Sequence, residues 1–385
     1  MLKAILFHVS IPMKREFSHA RTSRRDAESL ILEIELHGVK GIGECVPRSY
    51  VTGESIDSVI HAIKKVNIVN IMSNISKKKL DIAVENLKTL DVYDLPNNAH
   101  CLVEMAILDW IGNFFKISIS KILKKFMLTP LTVRNEHKAS FETSQVLDLS
   151  IEVGDFINGY RPFHYIKVKV DGDLNKNVEK IRLIREKLGQ KIKLSVDANM
   201  AWTYREAIEQ ISELNKFSID YYEEPLQSKK WDLYSKLRCE KMANILLDES
   251  ICDLTDLELA VETKACDAVN IRISKCGGIF NAANMINFAA KNGLRYQIGA
   301  QVAETGPLIS AGRHLICAVN NATAFEAGQP DRLFNGDYII SPMPLVDRAT
   351  NLASNMDGYG LGCYLSGAID KFSKRKIDLI SDREI

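Results

Sequence analysis

The sequence lacks an excess of charge of either sign. Its 50 lysines and arginines are matched by 49 aspartates and glutamates, which leaves a formal net charge of +1 over 385 residues. A protein without a net positive field has no long-range attraction to nucleic acid or to an anionic membrane. We therefore expect a small molecule as the partner, and we interpret the short basic run Lys371 to Lys376 as a solvated surface.

The sequence also lacks closely spaced cysteines and long apolar runs. Its eight cysteines are scattered, and the closest pair, Cys266 and Cys276, is ten residues apart, so neither a zinc ribbon nor a redox Cys-x-x-Cys motif is present. The apolar stretch at the start is broken by His8 and then by Lys14, and no later run has the length of a membrane span. These absences predict reduced thiols and a cytoplasmic protein.

The length and composition indicate a folded protein with more than one domain. The chain is long for one ordinary core, and its 46% hydrophobic and 26% charged residues are typical of a globular protein. Its first 45 residues predict antiparallel strands with a turn at His37-Gly38, and helical patterns follow. We therefore predict an α+β domain over residues 1–128.

From about residue 135, short apolar strands alternate with helical patterns. The predicted strands begin 24 to 29 residues apart, which is the period of a βα unit, and they cover residues 164–170, 193–199, 219–225, 244–250, 268–274, 295–300 and 323–328. A further strand near residues 137–143 would make eight, the number that closes a parallel barrel. The repeat predicts an α/β fold with a (β/α)8 barrel over residues 129–345.

Charged residues recur on one side of the predicted strands. Because side chains alternate along a strand, Lys167 shares one side with Lys169, and Asp197 shares one side with Asn199. The same rule gives one inward charge per strand, spaced by 28, 26, 25 and 24 residues, in the series Lys169, Asp197, Glu223, Asp248 and Arg272. An open sheet would be apolar on both faces, so this pattern favours a closed barrel with the charges at its C-terminal rim.

Three carboxylates belong to this set of inward charges. Hard oxygen ligands on separate strands suit Mg²⁺, which keeps positions open for a substrate oxygen, whereas zinc is disfavoured because no histidine belongs to the set. A rim of salt bridges without a metal is the alternative, but three clustered carboxylates repel one another strongly. The set therefore predicts a Mg²⁺ site.

Five short motifs resemble those of the enolase superfamily, specifically its muconate lactonising enzyme subgroup within the mandelate racemase–muconate lactonising enzyme family. They are KVK at 167–169, VDAN at 196–199, EEP at 223–225, DES at 248–250 and CGG at 276–278. The segments GIGECVP and VEMAILDW resemble the family's capping domain, so the resemblance spans nearly the whole chain. It implies a modified (β/α)8 TIM-type barrel under an N-terminal α+β cap, with residues 346–385 returning to the cap.

The resemblance also implies roles for the matching residues. Asp197, Glu223 and Asp248 would bind Mg²⁺, and Lys169 would be the acid/base, supported by Lys167. The reaction that the family shares is removal of the proton next to a carboxylate, through an enediolate that Mg²⁺ stabilises.

Substrate contacts are expected from the rim and from the cap. At the rim we assign them to Asn199, Lys275 and Glu304. The cap loops contain the arginines Arg15, Arg21, Arg24, Arg25 and Arg48, which indicate either an anionic substrate end or an ordinary charged surface.

Arg272 departs from the subgroup's pattern, in which a second lysine stands on the sixth strand across the substrate from the first. Arginine stays protonated and is a poor base, so Arg272 argues against freely reversible two-base racemisation. Cycloisomerisation or syn elimination of water needs only Lys169, and a guanidinium opposite could stabilise the enediolate or pair with a substrate carboxylate. Strand parity places Lys275 on the helix-facing side, so we do not expect it to replace the missing base.

The leading expectation is thus a Mg²⁺-dependent isomerase or lyase of muconate cycloisomerase type that acts on a small carboxylate. A racemase or epimerase of N-acylamino acids or dipeptides is the alternative, although FEAGQPDRLFNGD lacks the Asp-x-Asp that dipeptide epimerases carry after the eighth strand. A non-catalytic barrel that binds a metal or ligand is the third. Such barrels often form symmetric oligomers, so a homo-oligomer is left open.

Overall fold

The computed structural model describes residues 1–89, 95–240, 243–381 and 383–384. Its strands are, in chain order, β1 (Lys3–His19), β2 (Thr22–Leu36), β3 (Val39–Cys45), β4 (Ser140–Glu142), β5 (Ser144–Leu147), β6 (Tyr165–Lys169), β7 (Lys193–Asp197), β8 (Tyr221–Glu223), β9 (Ile245–Leu247), β10 (Ala268–Ile271), β11 (Arg295–Ile298), β12 (Ile340–Ser341), β13 (Val346–Asp347), β14 (Leu352–Ser354), β15 (Tyr364–Leu365), β16 (Ser373–Asp378) and β17 (Arg383–Glu384).

Helices follow the strands through most of the chain. They are α1 (Ser49–Thr52), α2 (Ile56–Lys64), α3 (Ile68–Ile75), α4 (Leu80–Lys88), α5 (Asn97–Phe114), α6 (Ile119–Phe126), α7 (Val153–Gly159), α8 (Leu174–Leu188), α9 (Tyr204–Leu214), α10 (Trp231–Cys239), α11 (Leu254–Glu262), α12 (Ile279–Lys291), α13 (Pro307–Ala318), α14 (Pro330–Leu333) and α15 (Ala368–Phe372). Helices α1 to α6 belong to the N-terminal part, and α7 to α13 alternate with parallel strands.

Both ends of the chain contribute to one antiparallel sheet, in the order β17-β16-β1-β2-β3. In its centre, Leu6 of β1 lies opposite Leu32 of β2, and both side chains are buried. His37 and Gly38 connect β2 to β3 with φ values of 55° and 73°, as a two-residue hairpin turn requires. The antiparallel strands and the turn predicted from the sequence are confirmed.

Helix α5 packs closely across β3 because β3 has glycine at two contact positions. A Cβ at Gly41 would lie 2.2 Å from the carbonyl oxygen of Ala106 and 2.5 Å from the backbone nitrogen of Trp110. A Cβ at Gly43 would lie 2.2 Å from the carbonyl oxygen of Leu102. The backbone of the strand therefore touches the backbone of the helix, which is buried along most of its length.

The second large sheet is parallel, in the order β11-β10-β9-β8-β7-β6-β5. The segment around Phe325 closes it into a ring: Ile298 of β11 pairs with Phe325 in parallel register, and the Ser144 N–H of β5 donates to the Phe325 carbonyl over 2.8 Å. The strands are buried on both sides, with helices on the outside. The predicted α/β architecture, a modified barrel under an α+β cap, is confirmed.

Two details of the strand prediction differ from the structure. The barrel begins with β5, because β4, within the predicted strand 137–143, pairs antiparallel with β14 instead. The sixth barrel strand, predicted over 268–274, ends at Ile271, and residues 273–277 form a turn in which the Cys276 N–H donates to the Arg272 carbonyl over 3.0 Å. The second difference changes the direction of the side chains that follow.

Two buried carboxylates of the cap bind the N-termini of barrel helices. Glu44 of β3 accepts hydrogen bonds from the backbone N–H groups of Thr305 (2.6 Å) and Leu308 (2.9 Å) at the start of α13. Glu104 of α5 accepts one from the Ile279 N–H (3.2 Å) at the start of α12. The first N–H groups of a helix have no partner within it and carry partial positive charge, which favours a carboxylate. These contacts hold the cap over the barrel rim.

The C-terminal segment joins the N-terminal sheet through β16, where Ile377 lies opposite Leu6 of β1. Two smaller sheets, β12 with β15 and β13 with β14 and β4, precede it. In the ranges that the structure describes, no helix combines the length and apolarity needed to cross a membrane. The domain boundaries at residues 128 and 345 stay predictions.

Replacing Gly41 by alanine is expected to destabilise the protein, because the new methyl group would overlap the backbone of α5. Overpacking of this kind costs about 1–3 kcal/mol. Urea unfolding should therefore give a lower free energy for Gly41→Ala than for the unchanged chain. The matched control is Gly154→Ala in α7, where a Cβ meets nothing within 4 Å and where alanine favours the helix. Equal free energies for the two variants would contradict the packing argument.

Candidate active site

The ends of neighbouring barrel strands bring the predicted charges together. β6 ends at Lys169, β7 at Asp197 and β8 at Glu223, and the strand register places these three residues side by side. Asp248 directly follows β9, and Arg272 directly follows β10. The three carboxylates have no exposed surface. One charge per strand thus becomes one contiguous buried cluster.

The two lysines of β6 pair with carboxylates on other strands of the barrel. Lys169 Nζ lies 2.5 Å from Asp197 Oδ2 and donates to Asn199 Oδ1 over 2.8 Å. Lys167 Nζ lies 2.6 Å from Glu223 Oε2 and 2.5 Å from an oxygen of a further carboxylate, that of Glu326. Both lysines also line the cavity above the cluster.

Arg272 and Lys275 both bind Asp248, from different directions. Arg272 Nη2 lies 2.5 Å from Asp248 Oδ2, and the guanidinium lines the cavity. Lys275 Nζ lies 2.9 Å from Asp248 Oδ1, and it also donates to the carbonyl oxygens of Asp248 (2.5 Å) and Asn270 (3.0 Å). Lys275 is fully buried and does not line the cavity. Arg272 therefore faces the inside, as predicted, and Lys275 supports Asp248 from behind.

The helix-facing direction predicted for Lys275 is wrong. The alternation of side chains on which it rested ends with β10 at Ile271, and the turn over residues 273–277 directs the ammonium group of Lys275 back beneath Asp248. All three donor positions of this ammonium are occupied by oxygen atoms. Lys275 thus acts here as a structural counter-ion.

The pKa values of the three carboxylates are shifted in different directions. Burial raises the pKa of Glu223 to about 7, since the lowering by Lys167 is offset by the charges of Asp197 and Asp248. Burial also raises the pKa values of Asp197 and Asp248, but their adjacent cations outweigh it, so both pKa values lie below the ordinary range. Glu223, which lies between the other two carboxylates, is therefore the least compensated of the three.

The chemistry of these carboxylates fits Mg²⁺. They are three hard oxygen donors at the ends of three adjacent strands, and Glu223 lacks full compensation. Over the described ranges, no group of three acidic, histidine or cysteine side chains is arranged as a finished metal cage, since ammonium and guanidinium groups hold the oxygens. A bound divalent cation would take over part of this compensation.

A cavity lies above the cluster, between the barrel rim and the cap. Lys169, Asn199 and Arg272 line it from the barrel side. The cap contributes residues from the end of β1, from β2 and from the segment after β3, which are Arg15, Phe17, His19, Arg24, Arg48, Tyr50 and Val51. The cap therefore closes the cavity over the predicted base.

The structure does not bring Glu304 to this cavity. Glu304 lies between β11 and α13, and its Oε1 accepts a hydrogen bond from the Gln301 N–H over 2.7 Å. It lines a second, smaller cavity with Leu308 and Phe325, and burial there raises the pKa of Glu304 well above its ordinary value. Substrate binding by Glu304 or by Lys275 stays a prediction, and neither side chain reaches the cavity over Lys169.

Three further carboxylates of the site were missed by the sequence reasoning, and one of them, Glu249, lines the cavity and accepts a hydrogen bond from Asn199 Nδ2 over 2.9 Å. Glu326, in the segment that closes the barrel, pairs with Lys167 and accepts a hydrogen bond from the Ala300 N–H over 2.6 Å. Its signal was a single carboxylate within the apolar stretch TAFEAG. Glu326 lines the cavity and lies at the position where the eighth strand meets the rim.

Glu224, the third missed carboxylate, fixes the backbone that holds Asp248. Its oxygens accept hydrogen bonds from the N–H groups of Asp248 (2.7 Å) and Ser250 (3.2 Å) and from the Tyr234 hydroxyl (3.0 Å). The sequence signal for Glu224 was its position next to Glu223. Neighbouring residues at a strand end face opposite sides, so only one of the two glutamates can face the cluster. Glu223 faces the cluster, and Glu224 orders the neighbouring loop.

Comparison with known proteins agrees with this fold. The family model described as Enolase C-terminal domain-like matches residues 153–368. The chain belongs to this family, and the membership of the enolase superfamily predicted from the motifs is confirmed.

Relatives of known activity are racemases and epimerases. The chain is 25% identical to the N-succinyl-L-Arg/Lys racemase of Bacillus cereus, over 84% of this chain and 86% of the relative. It is 28% identical to the D-Ala-D/L-Ala epimerase of Cytophaga hutchinsonii, over 94% of this chain and 96% of the relative. These activities match the racemase or epimerase alternative better than the cycloisomerase expectation.

Solved structures share the fold over nearly the whole chain. A dipeptide epimerase from Cytophaga hutchinsonii, complexed with Mg and the dipeptide D-Ala-L-Val, has a TM-score of 0.82 at 22% identity and covers 98% of this chain and 99% of its own. A muconate lactonizing enzyme from Pseudomonas fluorescens, complexed with muconolactone, has a TM-score of 0.82 at 19% identity, with coverage of 97% and 98%. At such identities the likeness shows the fold alone, and muconate cycloisomerase specificity is not confirmed.

Replacing Lys275 by methionine is expected to destabilise the protein by about 1–3 kcal/mol, because Asp248 keeps Arg272 as a counter-ion but its carboxylate and two carbonyl oxygens lose a buried donor. Urea unfolding in the presence of a chelator measures this cost. The matched control is Lys216→Met, since Lys216 forms an exposed ion pair with Glu213 and its loss should change the free energy by less than about 1 kcal/mol. If Lys275→Met were as stable as Lys216→Met, the structural role of Lys275 would be wrong.

Proposed function

We propose that this chain is an enzyme that removes the proton next to a substrate carboxylate, with Lys169 as the base and Mg²⁺ held by Asp197, Glu223 and Asp248. The observation that carries the proposal is the position of Lys169 Nζ, which faces the cavity and lies 2.5 Å from Asp197 at the edge of the carboxylate cluster. The family match supports it, as does the Mg in the structure of the related dipeptide epimerase.

The groups of the site divide the chemistry by position. Mg²⁺ bound to the three carboxylates supplies positive charge next to the substrate carboxylate, on which negative charge grows as the proton leaves. Lys169, in its neutral form, takes the proton from one face of the α carbon. Lys167 and Glu326 form a buried ion pair that also lines the cavity. Arg272 contributes a fixed positive charge from the sixth strand.

The proposed reaction is isomerisation of an acylated amino acid. The racemase and the epimerase named above support the reaction, and the charges of the cavity support the acyl group. A free dipeptide presents an ammonium group, which needs a carboxylate partner. Among the described residues of the cap that line the cavity, three are arginines and none is acidic. Two carboxylates line it from the barrel, but Glu326 is paired with Lys167 and Glu249 accepts a hydrogen bond from Asn199.

One-base chemistry is the second candidate, and Arg272 is the observation that favours it. Isomerisation at the α carbon requires a proton on the opposite face, and an arginine does not exchange protons near neutral pH. An elimination or a cycloisomerisation would use Lys169 alone, with Arg272 as electrostatic partner. The two candidates differ in how many enantiomers of a substrate exchange the α proton with solvent.

Exchange of the α proton in D₂O with Mg²⁺ tests the common step. Over a panel of N-acylamino acids, dipeptides and hydroxy acids, we expect mass spectrometry to detect deuterium at the α carbon. Lys169→Ala should lower the rate about 10³-fold, because general-base catalysis contributes on that order, and a chelator should abolish exchange. Lys216→Ala, at an exposed lysine, is the control. A Lys169→Ala protein that exchanges at the original rate would overturn the proposal, and Mg²⁺ binding without exchange of any acid would favour the non-catalytic alternative.

Replacing Arg272 by lysine separates the two candidates, because it introduces a group that can lose a proton. If the chain is a one-base enzyme, the unchanged protein exchanges one enantiomer, and Arg272→Lys gains exchange of the other. The control is Arg272→Met, which lacks both charge and base and should gain nothing. Equal exchange of both enantiomers by the unchanged protein would contradict one-base chemistry.

A further inference from the structure

Most cations that line the cavity have a carboxylate partner. Lys167, Lys169 and Arg272 belong to the cluster described above, and Arg15 Nη2 lies 2.7 Å from the buried oxygen Oδ2 of Asp148. Their charges are compensated within the protein.

Arg48 differs, because it is buried and has only neutral partners. It is 6% exposed, and its guanidinium donates to the carbonyl oxygens of Pro47 and Val302, both over 2.8 Å. In the part of the chain that the structure describes, no carboxylate lies within ion-pairing distance of Arg48. Burial lowers the pKa of Arg48 to about 10, so the side chain is nevertheless charged at neutral pH.

Arg24 lies close enough to Arg48 to lower its pKa, and it lines the same cavity. No carboxylate of the described residues pairs with Arg24 either. Glu28, whose charge acts on Arg48 from a distance, is already bound by Lys374 over 2.7 Å. The half-buried Arg24 and the buried Arg48 thus line one cavity without a counter-charge among the described residues, and burial of an unpaired charge such as that of Arg48 is unfavourable.

From these contacts we infer that Arg48 and Arg24 bind a second carboxylate of the substrate. The substrate class is then a dicarboxylate: an acylated amino acid in which the acyl group or the side chain ends in a carboxylate. A guanidinium offers paired N–H donors that match the two oxygens of a carboxylate. This inference rests on the proposed function, since it assigns the first carboxylate to the end of the cavity at Lys169.

His19 connects the two ends of the proposed substrate. It lines the cavity, and its pKa is lowered to about 3 by burial and by the charges of Lys169, Arg272 and Arg24, against the opposing effect of Asp197. His19 is therefore neutral and lies within range of both the reacting end and the arginine wall. Tyr50 lies next to it, with the ring centroids 5.9 Å apart. His19, Tyr50, Arg24 and Arg48 line the same cavity as Lys169.

Arg332 is a third cavity arginine without a carboxylate partner, but its surroundings are different. It lies over the Tyr160 ring, 3.7 Å from the centroid, and donates to Gln329 Oε1 and to the Gly159 carbonyl, each over 3.2 Å. The aromatic face and two oxygens satisfy it, and it is partly exposed to water. Arg332 therefore serves as an internal comparison for the proposed role of Arg48.

The experiment compares twin substrates that differ only in the second carboxylate. N-succinylalanine is paired with its neutral amide N-succinamoylalanine, and N-acetylglutamate with N-acetylglutamine, so the two pairs place the carboxylate on the acyl group or on the side chain. With Mg²⁺ in D₂O, at least one pair should show a kcat/KM for the dicarboxylate about 30-fold above that of its amide, or more. In Arg48→Met and in Arg24→Met this preference should fall to within about 3-fold.

Three controls keep the result specific. Arg25 lies on β2, as Arg24 does, but it is exposed, pairs with Glu16 and does not line the cavity. Arg25→Met should therefore leave the preference for the dicarboxylate unchanged. Arg48→Lys keeps the charge and should retain part of the preference. Because both members of a pair are measured on the same variant, a general loss of activity from the lost bonds of Arg48 cancels in the ratio.

Calorimetric binding of the same pairs to the Mg²⁺-loaded protein provides a readout without turnover. If the dicarboxylate binds more tightly than its amide, and Arg48→Met removes the difference, the inference holds even where no substrate exchanges its proton and the proposed function fails. Three outcomes would overturn the inference. The first is that the unchanged protein binds the dicarboxylate no more tightly than its amide, and the second is that neither member of a pair binds. The third is that the preference for the dicarboxylate survives in both Arg48→Met and Arg24→Met. The inference would also be overturned if Arg332→Met abolished the preference for the dicarboxylate and Arg48→Met did not.

Discussion

Buried charges require compensation, and the rim of this barrel is arranged around that requirement. Asp197, Glu223 and Asp248 have no exposed surface, and water cannot stabilise them. Ammonium and guanidinium groups from neighbouring strands take its place, each within about 3 Å of a carboxylate oxygen. The carboxylates lie at the ends of three adjacent strands, β7 to β9, and the cations come from β6 on one side and from the segment after β10 on the other. The order of the strands therefore decides which charges meet.

The compensation is uneven, and the unevenness separates structural groups from reactive ones. Lys275 has three oxygen partners and no access to the cavity, so its position is fixed. Lys169 and Arg272 hold their carboxylates from the cavity side, where a bound cation or a substrate can replace them. Glu224, which binds the N–H groups next to Asp248, keeps that carboxylate in place when its partners change.

The same physics attaches the cap to the barrel. Glu44 of β3 binds the unpaired N–H groups at the start of α13. Glu104 of α5 binds those at the start of α12. These attachments bring the β1–β2 hairpin and the segment after β3 over the rim, with His19 and Arg48 in the roof of the cavity. The cap thereby lies over Lys169 and adds the positive charges of Arg24 and Arg48 to the lining of the cavity.

The sequence by itself determined the architecture and most of the charge cluster. Periodic apolar strands predicted the barrel, and alternation along those strands placed Lys169, Asp197 and Glu223 on the inside, because side-chain direction in a strand depends only on residue parity. The same rule failed for Lys275, since β10 ends at Ile271 and parity has no meaning in the turn that follows. Local periodicity predicts a side chain's direction only as far as the element extends.

Only the tertiary structure decided which groups from distant segments share a cavity. Glu304 follows a barrel strand, as Glu326 does, yet the loop of Glu304 turns it into a separate cavity, whereas Glu326 reaches Lys167. Nothing local distinguishes Arg48 from Arg25 in the sequence, because the difference between a buried guanidinium without a counter-charge and an exposed ion pair depends on how the cap lies on the barrel. Compensation of charge is a property of spatial neighbours, and sequence separation does not record it.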